Sequence, residues 1–287
     1  MALMIRLLLV ALLTCSAAAA QAQTSAPRII EIPAADVTQE LELDDGSSVI
    51  GRVESVGEGR FVFRTTSGAE MTVDVTAVRS LKPVTGRIVS GELWREDPNP
   101  TRLFFAPTGR SLKKGEAYFG VYELFLPFVQ VGVTDRISIG AGTPLIFGDV
   151  ERPFWVTPKV QLLERRSTAV SAGVMHFFNV DEASIGIAYG VVTQGSADSA
   201  ATIGIGYAYA QTDDEDGGSA VVMIGGEHRV SRRVKLVTEN YVFKGGGFAS
   251  GGLRFFGEKL SADFGLVMPL FADETFVFPM INIVRKF

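Results

Sequence analysis

The chain has 287 residues, with 27 Lys and Arg against 32 Asp and Glu and a net charge of −5. That balance leaves no basic footprint for nucleic acid, and a single cysteine, Cys15, excludes a disulfide framework. Mean hydropathy is +0.24, yet beyond the first residues no apolar run reaches the length of a membrane-spanning helix.

The chain opens with Arg6, the apolar run Leu7 to Leu13 and small residues up to Ala20-Gln21-Ala22. A charged start, a short apolar segment and an A-x-A site describe a secretory signal peptide over residues 1–22. Cleavage is expected after Ala22, with Ala20 as the alternative. Leu12 precedes Cys15 as in a lipoprotein signal, but Thr14 is a poor neighbour for a lipidated cysteine.

Residues 23–84 read as a small periplasmic β-domain. TQELELDDG gives a strand ending at the Asp45-Gly46 turn, and Ser48 to Val56 returns from it. Glu58-Gly59 leads into Phe61 to Thr65, Ser67-Gly68 into Met71 to Val75, and Val78 to Leu81 closes the set. About five such strands bury one apolar face most economically as a bent small barrel. The stretch LELDDGSSVIGRVESVGEGRFVFRTTSGAEMTVDVTAVRSL resembles the SH3-like and Sm-like small barrels in strand spacing and turn placement. The resemblance implies a binding module. RNA is disfavoured as its ligand, because aromatic residues do not stand beside basic ones, and an envelope protein partner contacting residues 37–81 is expected instead.

Residues 85–115 form a connector rich in proline, charge and aromatics. Pro98 and Pro100 break any helix, and Lys113-Lys114-Gly115 marks a turn. Trp94, Leu103, Phe104 and Phe105 are too apolar to lie free in water; they are expected to dock on a rim or enter a mouth, with a plug or gate as the alternative.

From residue 116 to 287 the pattern is all-β, with about twelve strands of period-two alternation. They are expected near Glu116–Leu126, Phe128–Thr134, Arg136–Phe147, Phe154–Leu163, Thr168–Phe178, Ala183–Thr193, Ala200–Gln211, Ser219–Arg229, Val234–Phe243, Phe248–Phe256, Lys259–Met268 and Phe276–Phe287. Spacing of roughly 14 residues suits tilted strands that cross a bilayer, and an even number suits a closed antiparallel transmembrane barrel. If Phe287 ends in the periplasm, the short turns Thr134-Asp135-Arg136, Glu164-Arg165-Arg166, Gln194 to Asp198, Ser231-Arg232-Arg233 and Gly257-Glu258-Lys259 share its side. The acidic loop Thr212 to Asp216 then falls on the outer side.

Alternation assigns lipid-facing positions to Ile185, Ile187 and Tyr189, to Ile203, Ile205, Tyr207 and Tyr209, and to Leu260, Ala262, Phe264, Leu266 and Met268. Ser184, Gly186, Ala188 and Gly190, with Gly204, Gly206, Ala208, Ser261, Asp263 and Gly265, are assigned inward. Lys159, Glu227, Arg229, Lys235, Glu239, Arg254 and Asp263 become candidate lumen charges, able either to set selectivity or to pair across the interior.

The turn T-D-R followed by S-I-G-A-G, the ending FPMINIVRKF and the signal peptide resemble outer-membrane β-barrel proteins of Gram-negative bacteria. Phe287, with Ile283 and Ile281 on its face, resembles the C-terminal signal read by barrel-assembly machinery, although Arg285 stands where that pattern carries an apolar residue. The stretch PNPTRLFFAPTGRSLKKGEAYFGVYELFLPFVQVGVTDRISIGAG resembles a group of exported barrel proteins and implies no activity.

Chemistry is sparse. His176 and His228 are placed on the outer face near opposite strand ends, as interfacial anchors rather than members of a triad. Asp213, Asp214, Glu215 and Asp216 match no calcium-loop spacing, and Gly245-Gly246-Gly247 lacks a phosphate-loop lysine. No cofactor, metal or catalytic residue is expected. The expected function is an outer-membrane barrel, contacting lipid, that serves as a channel for small solutes. The alternative is a closed structural or binding barrel presenting its small domain to envelope partners, and the third reading a lipid-active enzyme.

Overall fold

The computed structural model describes residues 37–84, 86–145, 153–180, 183–211, 216–270 and 276–287. The signal peptide and residues 212–215 of the acidic loop lie outside the described residues. The chain divides into two compact units, residues 1–84 and 85–287.

The first unit is an antiparallel sheet of β1 (Gln39–Leu43), β2 (Ser48–Gly57), β3 (Arg60–Thr65), β4 (Glu70–Asp74) and β5 (Val78–Pro83), in the order β4-β3-β2-β1-β5. Its turns sit at the dipeptides that signalled them: Gly46, Gly59 and Gly68 have φ of 86°, 70° and 90°, a region that glycine enters without a Cβ clash. Alternation then puts Leu41, Val53, Phe61, Phe63, Val73, Val78 and Leu81 into one buried cluster. Phe63 is fully buried, so Phe63→Ala is expected to cost about 3–5 kcal/mol. Limited proteolysis of the full chain checks this, with faster cleavage confined to residues 37–84.

A single 3-10 turn, Val75–Ala77, leads into β5. Asp74 caps it, accepting from the Thr76 hydroxyl at 2.6 Å and the Thr76 N–H at 3.0 Å. These two bonds hold the Asp74 carboxyl below its ordinary value. A depressed carboxylate stabilises the fold above the ordinary range and loses that effect as pH falls through the lowered value. Asp74→Asn is therefore expected to flatten the acid limb of this unit's stability profile, read by proteolysis against pH.

In the second unit, β6 (Gly86–Val89) and β7 (Glu92–Arg95) form a small hairpin. Twelve strands follow: β8 (Ala117–Tyr122), β9 (Leu126–Gly132), β10 (Ile137–Gly142), β11 (Phe154–Arg165), β12 (Thr168–Val180), β13 (Ala183–Gly195), β14 (Ser199–Gln211), β15 (Asp216–Ser231), β16 (Val234–Phe243), β17 (Gly246–Phe256), β18 (Leu260–Pro269) and β19 (Phe278–Lys286). Each pairs antiparallel with the next, and β19 returns to β8 from Asn282↔Tyr122 to Lys286↔Tyr118, closing the barrel. Every expected strand is present. Three, β8, β10 and β19, are shorter than expected. β8 stops at Tyr122 because Glu123 and Leu124 adopt left-handed φ of 49° and 63°, and after β10 Pro144 has no N–H to extend the ladder.

The turns after β9, β11, β13, β15 and β17 are short and share one end of the barrel with Phe287; this is the short-turn end below. Outside, large apolar side chains stand in solvent-accessible rows: Ile205 is 67% exposed, Leu266 58%, Ile203 56% and Leu236 48%. A continuous belt of this kind far exceeds the apolar patches that water-exposed monomers carry and suits a bilayer.

One face assignment is reversed. On β13, Tyr189 and Val191 pair with Gly173 and Ser171, whose side faces the lumen, so Ile185, Ile187 and Tyr189 point inward. Ser184, Gly186, Ala188 and Gly190 point to the outside. The cause is packing on both sides: the Tyr189 ring covers the space left by Gly173, and the Tyr209 ring covers Gly186 from outside. Neither face of β13 carries a charge, so its polarity held no clue to direction.

Candidate functional site

The connector enters the barrel from the short-turn end. Ser90 and Gly91 both have positive φ, 51° and 82°, giving the tight twisted turn that joins β6 to β7. This hairpin lies at the mouth: Arg87 pairs with Asp198 at 2.5 Å and Arg95 with Glu258 at 3.7 Å. Arg229 donates to the Arg95 carbonyl at 2.7 Å and to Asp198 at 2.9 Å, with its guanidinium stacked 4.8 Å from the rings of Trp94 and Phe256. Trp94 thus packs at the mouth.

Beyond Arg95 the chain turns into the lumen. The Leu103 N–H donates to the Ala106 carbonyl and the Thr108 N–H to the Thr101 carbonyl, both at 2.9 Å, with a bridge between Arg102 and Pro107. The product is a narrow hairpin, residues 101–108, with Phe104 and Phe105 at its tip. Leu103 and Phe104 are fully buried, against Val191, Met223, Val237 and Met280 of the wall. Trp94 stays at the mouth, while Leu103, Phe104 and Phe105 go past the rim into the lumen.

The lumen charges grip this insert. Arg254 forks onto Asp263 at 2.7 and 3.0 Å, reaches Asp97 at 3.4 Å, and donates to the carbonyls of Asn99, Arg102 and Leu103. Lys235 bridges Asp97 and Glu227, each at 2.8 Å, and Glu227 also holds Arg110. Glu239 points one carboxylate oxygen at three successive N–H groups, Phe104 at 2.8 Å and Phe105 and Ala106 at 3.0 Å, and accepts from the Tyr241 hydroxyl at 2.7 Å. Lys159 donates to the carbonyls of Thr108 and Arg110 at 3.3 and 2.5 Å. All seven charges named from the sequence therefore lie in the interior, and each of them except Asp263 touches the connector directly. A buried ionic cluster adds little net stability over an apolar core, but removing one member strands its partners.

Gly109 is needed for close approach. Its N–H donates to Thr193 at 2.8 Å and its carbonyl accepts from Ser171 at 2.7 Å and Gln161 at 3.1 Å. A Cβ there would collide with the Ala169 carbonyl. Gly109→Ala is expected to loosen this end of the insert by about 1–3 kcal/mol, read as earlier unfolding in a denaturant titration.

Arg102 and Lys159 are different from the rest. They are 7% and 3% exposed, and their hydrogen-bond partners are all neutral: Tyr118 and Gln130 for Arg102, backbone carbonyls for Lys159. Nε and Nη1 of Arg102 have no acceptor. The guanidinium lies 4.3 Å from the Phe128 ring and 4.7 Å from that of Tyr118. Such contacts contribute about 2 kcal/mol when desolvated, less than the several kcal/mol it costs to bury an ion. Both residues line a cavity of about 40 Å³, with Gln130, Thr157 and Trp155.

Towards the other end the lumen turns apolar. One cavity of about 390 Å³ is bounded by Phe105, Tyr241, Phe248, Val267, Phe278 and Met280, and another of about 200 Å³ by Phe105, Met175, Ile187, Val191, Met223 and Tyr241. Phe105 and Tyr241 separate them, so the hairpin tip forms part of both walls.

His176 and His228 face outward. His176 Nδ1 lies 2.8 Å from the Tyr209 hydroxyl and Nε2 3.4 Å from the Ser184 hydroxyl; His228 Nδ1 lies 3.1 Å from that of Ser199. These serines come from neighbouring strands, so sequence adjacency could not show them. The second partner of His176 is a phenol, not the carboxylate that would orient a catalytic base. No cluster of three metal-ligating side chains occurs among the described residues.

Asp97, Arg102, Arg110 and Gln130 were missed from the sequence. Asp97 sits in a proline-flanked turn that reads as solvated loop, and Gln130 in a strand whose lumen partners come from the connector.

No family model and no curated protein matches the chain. Among solved structures it is similar to the KdgM porin, at 5% identity over 60% of this chain and 96% of that one, with a TM-score of 0.44. It is likewise similar to the NanC porin, at 9% identity over 60% and 98%, with a TM-score of 0.44. OmpT of Vibrio cholerae, in a form lacking loop L8, is 12% identical over 87% and 96%, with a TM-score of 0.38. The barrel assignment rests on the strand register of this chain itself.

Proposed function

We propose that the chain is an outer-membrane β-barrel that passes small solutes when the 101–108 hairpin leaves its lumen. One observation carries this reading: the interior is filled by an insert entering from the short-turn end, not by wall side chains alone. At its charged end the insert is held by ion pairs and hydrogen bonds, which water can replace. Once it withdraws, Lys159, Glu227, Arg229, Lys235, Glu239, Arg254 and Asp263 would line the path and set selectivity.

Single-channel recording tests this. The full chain is expected to insert and stay closed, and a chain with residues 101–108 replaced by a glycine-serine linker to give discrete openings. Reversing Arg229 in that background should shift selectivity towards cations. A barrel that stays silent without its hairpin would sink the channel reading.

The number of bonds holding the insert favours a second reading, a closed barrel that presents the small domain to an envelope partner. The sheet order and the 3-10 turn before β5 support an SH3-like fold for that domain, which we place in the periplasm. Deleting residues 37–81 should then abolish partner capture while the barrel stays folded. Ile281, Ile283 and Phe287 lie on the outward face of the last strand, where assembly machinery could read them; Arg285 packs 5.3 Å from the Phe287 ring. A lipid-active enzyme would require lipid hydrolysis lost in His176→Ala.

A further inference from the structure

We propose that the cavity between Arg102 and Lys159 is a binding site for a small monovalent anion, with halide the simplest occupant. Two basic side chains, each more than nine-tenths buried, line one cavity, and neither has a carboxylate among its hydrogen-bond partners. Elsewhere in the lumen the pattern is the reverse: Arg110, Arg229, Lys235 and Arg254 each meet an acid. The missing partner is therefore local to this cavity.

The donors point to the same answer. Arg102 spends Nη2 on Tyr118 and Gln130, leaving Nε and Nη1 without acceptors. A guanidinium is not deprotonated in proteins, so its charge cannot be shed. A volume of about 40 Å³ exceeds the roughly 10–15 Å³ that one water requires. It leaves room for a halide, and gluconate, a bulky organic anion, serves as the comparison. Because Arg102 belongs to the hairpin and Lys159 to β11, an anion between them ties the insert to the wall.

The test uses the full chain in lipid nanodiscs and crystals. Exchanging chloride for gluconate at constant ionic strength should lower the unfolding midpoint, with up to a tenfold change in the folding constant per tenfold change in chloride. Lys159→Met should abolish that dependence, and Arg102→Gln should do the same if the first variant fails to fold. Crystals grown in bromide should show an anomalous peak in the cavity. Bromide at surface charges only, or midpoints indifferent to chloride, would overturn the site and leave water in the cavity. Neither readout needs current, so a silent barrel that responds to chloride separates this site from the channel reading.

Discussion

Replacing Arg254 with methionine is expected to cost about 3–5 kcal/mol, the largest effect of any single lumen charge. Arg254 is fully buried and serves Asp263, Asp97 and three connector carbonyls at once. Methionine fills much the same space and supplies no donor. Asp97 retains Lys235 at 2.8 Å, but Asp263 loses its guanidinium, and the carbonyls of Asn99, Arg102 and Leu103 lose that donor. The loss is expected at two levels: an earlier unfolding midpoint in denaturant, and faster protease cleavage within residues 96–112. A double change, Arg254→Met with Asp263→Leu, should recover part of the midpoint, because the stranded acid is removed with its partner. A midpoint within experimental error of the parent would mean that the fork is not formed.

Glu239→Ala should rank second, at about 3 kcal/mol or more, since each orphaned buried donor costs roughly 1–3 kcal/mol. One carboxylate oxygen receives the N–H groups of Phe104, Phe105 and Ala106. Three consecutive donors converging on one anion is the arrangement of a backbone anion nest, here filled by the wall rather than by a ligand. Alanine leaves those donors without their carboxylate in a region bordered by Met280 and Met223. Glu239→Gln keeps one acceptor oxygen without the charge and should fall between. The discriminating readout is local: hydrogen exchange at Phe104, Phe105 and Ala106 should accelerate before exchange in β13 or β14 does. Equal acceleration everywhere would point to a global effect and not to a nest at the hairpin tip.

Legibility in the sequence followed what each signal physically encodes. The strands of the barrel could be read because alternation and turn dipeptides are local. Ile203, Ile205, Leu266 and Phe264 could be placed outside because their opposite neighbours are small or polar. β13 could not: Ile187 and Tyr189 lie opposite Gly186 and Ala188, and neither side carries a charge, so only packing against the neighbouring strands, Tyr189 over Gly173 and Tyr209 over Gly186, fixes the direction. The seven lumen charges were visible because a charge within an alternating run has only one face on which to be tolerated. Their partners were not, since Asp97 and Arg110 lie about a hundred residues or more away in sequence, in a connector whose prolines read as loop. The apolar run Leu103-Phe104-Phe105 did signal burial, but a linear pattern cannot tell a rim from a lumen.

The most direct test of the hairpin in the lumen is the labelling of one cysteine. In a chain with Cys15 replaced by serine, Leu103→Cys places a thiol at a fully buried position and Lys114→Cys one at an exposed position. A membrane-impermeant maleimide should modify position 103 at least about a hundredfold more slowly than position 114, because reaction there requires the insert to open. Glu239→Ala should narrow that gap. Equal rates at the two positions in the unmodified barrel would contradict a lumen filled by residues 101–108.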